Sequence, residues 1–133
     1  MDDILLNYRE NRSDIESVVT SLLLRFGVPA NIKGYTYMRT GIINVVKDNT
    51  LLDSITQKLY PSIAAVHNTT VSSVERSIRH AINIIWTRAS IDDIVAFFEC
   101  DYYAHSERPS GSEFIALAAD KIMILVRRGE IKL

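Results

Sequence analysis

The sequence predicts an all-α fold of six or seven helices within one domain, residues 1–133. Three observations carry this. Apolar residues recur at three- and four-residue intervals along most of the chain. Helix-start and helix-stop residues bracket those stretches. No run of four to eight residues alternates apolar and polar between turn residues, as a half-buried strand would. With only 5 glycines and 3 prolines in 133 residues, long low-complexity segments have no compositional support.

Each helix has its own local reason. After a leader of residues 1–12, "SDIE" sets Ser13 three residues ahead of Glu16, a capping-box spacing. Ile15, Val18, Val19, Leu22, Leu23 and Phe26 follow at helical intervals, and Gly27 with Pro29 supplies the stop. A second helix is expected from Tyr35 to Lys47, with Ile42, Ile43, Val45 and Val46 as its apolar content. Gly41 costs it about 1 kcal/mol relative to alanine, unless close packing needs the missing side chain. "DNTLLDSITQKLYP" gives a short helix capped by Asn49 or Thr50 and stopped at Pro61, which also opens the next, "PSIAAVHN". A polar turn at Asn68, Thr69 and Thr70 leads into "TTVSSVERSIRHAINIIW". "SIDD" at Ser90 starts a helix through Phe97 and Phe98, and residues 101–111 read as a loop. "SGSE", Ser110 to Glu113, repeats the capping-box spacing, and the last helix runs to Arg128 before Gly129.

Several function classes lose support on composition. No apolar run approaches the roughly 20 residues needed to cross a bilayer, and the acidic, amphipathic N-terminus does not resemble a secretion signal. The expectation is a cytoplasmic chain without membrane contact. Cys100 is the only cysteine, so no internal disulfide forms, and His67, His80 and His105 show no metal-ligand spacing. No glycine-rich phosphate loop is present, and the carboxylates of "SIDD" are explained by the dipole at a helix start. No catalytic residue, metal or cofactor is expected.

The helix after the polar turn carries the charge pattern that points to a function. Ile78, Ala81, Ile82 and Ile85 all fall within about 80° of Val74 on a 100° wheel. Opposite them lie Arg76, His80, Ser73 and Asn83, flanked by Glu75 and Arg79. A short helix (61–67), a four-residue polar turn and this helix make the layout of a helix-turn-helix, whose second helix enters the major groove. Arginine donates twice to guanine, glutamate accepts from cytosine, and serine is permissive. A solvated helix face explains the same pattern equally well. The net charge of −1 argues against a non-specific nucleic-acid coat but leaves local positive charge open.

Four blocks break that tie: "GVPANIKGYTYMRTGI", "LLDSITQKLYPSIA", "TTVSSVERSIRHAI" and "SEFIALAADKI". In this order and spacing, over residues 15 to 125, they resemble the DNA-binding effector domain of the stage-zero sporulation protein A family, response regulators that control sporulation. The resemblance implies a compact six-helix domain that binds double-stranded DNA as a tandem dimer and regulates transcription. It further implies a recognition helix beginning near Ser72, with functional positions at Glu75, Arg76, Arg79 and His80. Glu75 then reads cytosine, the arginines and histidine serve bases or phosphates, and Arg108, in the loop before the last helix, grips phosphate.

Three departures qualify the resemblance. Ser73 stands where the family usually has arginine, removing one guanine contact. Ser77 replaces a usual alanine, and "ECDYYAHSERPSG" matches poorly. The family's receiver, with its phosphorylatable aspartate, has no counterpart here, which fits either an excised effector domain or a receiver-less paralogue. The short leader favours the paralogue and regulation without receiver phosphorylation. The expected partners are duplex DNA, a second copy on tandem sites, and RNA polymerase or a full-length homologue. A competing expectation is an interaction module that pairs with a full-length regulator and antagonises it.

Overall fold

The computed structural model describes residues 14–100 and 108–133, and within them it contains six α-helices. These are α1 (Ile15–Arg25), α2 (Lys33–Lys47), α3 (Tyr60–His67), α4 (Val71–Arg88), α5 (Ile91–Phe98) and α6 (Gly111–Arg127). A 3-10 turn (Asn49–Asp53) and one wide, π-type turn (Ile55–Leu59) join α2 to α3. The only β pairing among the described residues is an isolated parallel bridge between Asp14 and Lys132, which ties the start of α1 to the end of the chain. The fold is all-α, as the periodicity predicts.

Local chemistry accounts for the helix ends. Ser90 accepts from the Asp93 N–H at 3.0 Å, and Ser110 and Glu113 form the reciprocal capping box, with bonds of 3.0 and 3.2 Å. Gly27, at φ +86°, closes α1: its N–H donates to the Leu24 carbonyl and the next N–H, of Val28, to that of Leu23. Gly129 and Glu130 close α6 in the same way on Val126 and Leu125. At the start of α1 the cap is Asp14, whose carboxylate accepts from the Ser17 N–H at 2.9 Å, one residue later than the Ser13 spacing predicts. Ser13 and the leader lie outside the described residues, as do residues 101–107 of the expected loop.

Two further expectations are corrected. Helix α2 begins at Lys33, two residues before Tyr35; its N-cap, Ile32, offers no capping side chain that would mark the boundary in the sequence. Pro61 does not stop a helix. The wide turn, capped by Ser54 on the Gln57 N–H, runs straight into α3, and Pro61 falls in the first turn of α3. A proline there removes no intrahelical bond.

Helix α2 is the hub, in contact with α1, α3, α4, α6 and the 3-10 turn. A methyl group on Gly41 would lie 2.9 Å from Ile63 of α3 and 3.1 Å from Ile115 of α6, so this glycine lets three helices meet. Around it, Met38, Ile42, Ile63, Ile78, Ile115 and Ile122 are fully buried. At the far end of α4, Phe114 is enclosed edge-on by Phe26, Trp86 and Phe98, with centroids 5.9–6.2 Å apart. Helix α5 is held differently. It fully buries only Ile94, and charge pairs reinforce it: Arg25 with Asp93 at 3.4 Å, and the buried Lys121 ammonium with Glu99 at 2.9 Å.

Two outcomes follow for stability. Ile78 and Ile82 are 0% and 2% exposed, so either Ile→Ala change should cost about 2–5 kcal/mol in denaturant melts. The bonds from Ser110 hold the Glu113 carboxyl below its ordinary range. This contribution is therefore in place above about pH 4.3, the unfolded glutamate value, and is lost as pH falls through the lower folded value. In Glu113→Gln, which removes the titrating carboxyl, the acid limb of the stability–pH curve should be shallower.

Candidate nucleic-acid interface

Helix α4 is amphipathic in the sense the wheel predicts, with Val74, Ile78, Ala81, Ile82 and Ile85 buried. Of the opposite face, Ser72, Glu75, Arg76, Arg79 and His80 are exposed and Ser73 is half-buried. The turn that aims this face is three residues long, one fewer than the four-residue turn expected. Asn68 ends α3 in the left-handed conformation, φ +50°, which asparagine tolerates better than most residues. Two residues later Thr70 caps α4, its hydroxyl accepting from the Ser73 N–H at 3.1 Å. The end of α3 is pinned to α2, where Thr40 Oγ1 lies 2.6 Å from His67 Nε2 and the Tyr37 ring packs 5.0 Å from the imidazole.

Two glycines fix α4 from opposite sides. Gly34, at the start of α2, sits against the Ser77 carbonyl and Ala81 so closely that a Cβ would overlap the backbone oxygen. Gly111, the first residue of α6, abuts the Ile78 side chain and Tyr60. This seats the segment carrying Arg108, which is exposed and followed by the buried Pro109, alongside the N-terminal half of α4. Tyr60, on α3, lies beneath the same half: burial raises its phenol above the ordinary range, the Glu75 carboxylate adds to this, and Arg79 partly offsets it. Gly34, Gly111 and Tyr60 were not singled out from the sequence. Their roles arise from contacts between elements, and only their place inside the family-like blocks marks them.

Glu75 and Arg79 are paired, Oε1 to Nη1 at 3.0 Å, with side chains 54% and 63% exposed. Such an i,i+4 pair contributes about 0.3–0.5 kcal/mol, a weak tie beside a base contact worth about 1–3 kcal/mol. Arg76 and His80 take part in no ion pair among the described residues. Local positive charge therefore persists on a chain of net charge −1. Among the described residues, no group of three His, Cys, Asp or Glu side chains is placed to hold a metal ion.

A helix-turn-helix with its second helix buried on one face and cationic on the other is a DNA-binding geometry, and comparison with known families decides which. Residues 19–122 match the family described as Sporulation initiation factor Spo0A C terminal. The chain belongs to this family. Spo0A C-terminal domains are the DNA-binding, transcription-regulating effector domains of a sporulation response regulator, and they are not an enzyme family. The match spans α2 to α5 whole and most of α1 and α6, so the helix-turn-helix and both glycine contacts lie inside it. Among the described residues no helix is long and apolar enough to cross a membrane.

The seat of α4 is testable. In an open helix, Gly→Ala adds up to about 1 kcal/mol of stability. Gly34→Ala should instead lose about 1–3 kcal/mol in urea denaturation, because its new methyl meets a carbonyl that cannot swing aside.

Proposed function

We propose that the chain is a sequence-specific, double-stranded DNA-binding transcriptional regulator that lays the N-terminal half of α4 in the major groove. The observation that carries this reading is the exposure of Arg76, Arg79, His80 and Glu75 together on the face of α4 opposite its buried stripe. Arg76 is the foremost base reader, being outermost on the wheel and without an ion pair among the described residues. Arg79 is poised beside Glu75, so the pair engages guanine and cytosine as one unit. Ser72 and Ser73 stand at the helix entry, and Arg108 contacts phosphate from the loop side. Two copies bind in tandem, as the family resemblance implies.

A second reading, an interaction module that pairs with a full-length regulator and blocks it, draws on two features. Ser73 carries no guanidinium, and Arg79 is engaged by Glu75.

Binding-site selection followed by anisotropy titration tests the two. Arg76→Ala and Arg79→Ala should each weaken binding to the selected duplex by about 1–3 kcal/mol. Ser73→Arg should add about 1–3 kcal/mol of preference for guanine at the facing base pair. Failure to select any sequence, with retained binding to a full-length homologue, would establish the antagonist.

A further inference from the structure

The exposed face of α4 has a wall on each side, and only one of them has been given a role. Arg108 stands on the wall formed by the start of α6, where Gly111 meets Ile78. The other wall is the start of α2, where Gly34 meets Ser77 and Ala81. The residue before Gly34 is Lys33, exposed and without an ion pair among the described residues.

Helical spacing fixes the side of α2 on which Lys33 lies. At about 100° per residue, Lys33, Tyr37 and Thr40 fall within roughly 60° of one another. Tyr37 and Thr40 both meet His67, at the end of α3 just before the turn that aims α4. Their stripe therefore runs along the helix-turn-helix side of α2. Passing along it from Tyr37 to Lys33, the chain moves from the level of His67 to that of Ser77. On α4, the polar residues nearest the Ser77 edge are Ser73 and His80, about 40° and 60° further round. Lys33 thus borders the polar face on the Ser73–His80 side, while Arg108 and Tyr60 border it on the Glu75–Arg79 side.

A helix in the major groove has one sugar–phosphate strand on each side of it. We propose that Lys33 binds a phosphate of the strand on the α2 side of α4, opposite the strand held by Arg108. This rests on the groove reading of α4 above. The lysine is a point charge, so it grips the duplex and sets its register without reading sequence. Among the described residues no carboxylate pairs with it, so the contact displaces no ion pair among them.

The test uses the whole chain and a duplex from site selection, with Lys33→Gln, Lys33→Arg and Arg76→Ala compared by anisotropy across a salt series. Lys33→Gln should weaken binding to the selected site and to a scrambled duplex by the same factor. It should also flatten the slope of log K against log salt by about 0.9, the signature of one lost phosphate contact. Lys33→Arg should restore both. Phosphate ethylation interference should lose a position on one strand in Lys33→Gln and on the other strand in Arg108→Gln. An unchanged affinity and slope in Lys33→Gln, while Arg76→Ala weakens the selected site, overturns the Lys33 contact and leaves the groove reading standing. Loss of interference on the same strand in both variants overturns the opposed-strand arrangement. A wild-type chain that binds no duplex overturns both readings.

Discussion

Position in this molecule is set by how closely helix α2 can be approached. At Gly41 the absence of a side chain lets Ile63 and Ile115 reach the helix from two directions. At Gly34 it lets the backbone of α4 itself come into contact. Backbone contact fixes a helix more narrowly than side-chain packing does, since a carbonyl has no rotamers with which to adapt. The polar face of α4 is aimed by that contact, by Gly111 on the far side, and by the left-handed turn at Asn68. The exposed arginines thus rest on a frame whose critical members carry no charge.

Electrostatics then explains how a chain of net charge −1 can serve a polyanion. What matters is distribution within a Debye length, about 8–10 Å at ordinary ionic strength. The carboxylate nearest the cationic face, Glu75, is held by Arg79, while Arg76 is not committed to any ion pair among the described residues. The weakness of the Glu75–Arg79 tie suits the proposed groove contact, in which an internal partner is exchanged for an external one. A deeply buried pair would resist that exchange through the penalty of leaving one charge alone.

How much of this was legible in the sequence depended on whether the cause was local. The caps at Ser90 and Ser110 and the stops at Gly27 and Gly129 were readable, because a cap or stop needs only a few neighbouring residues. The buried stripe of α4 was readable from period alone. The start of α2 was missed by two residues because Ile32 lacks a capping side chain, and Pro61 was misread because the wide turn before it leaves no local signature. At the site, the exposed charges could be named in advance. The Glu75–Arg79 bond is implicit in their four-residue spacing, which suits an ion pair along one helix face as well as base contacts. Gly34, Gly111 and Tyr60 were out of reach, since their work is done against residues 43, 33 and 15 or more positions away.

The attachment of α5 has a consequence for motion. This eight-residue helix fully buries one side chain, and charge pairs at both ends reinforce its docking, one of them on the nearly buried ammonium of Lys121. Apolar burial stabilises in proportion to area, and with Ile94 buried but Phe97 and Phe98 only partly buried against Phe26 and Phe114, α5 has a lower free energy of local opening than α2 or α4. Lys121 works against that opening, because separation would strand a poorly solvated cation. Amide hydrogens along α5 should accordingly exchange well before those of α2 and α4, yet in one cooperative step. The chain thus carries a loosely docked segment directly after α4, able to rearrange while the exposed polar face of α4 keeps its shape.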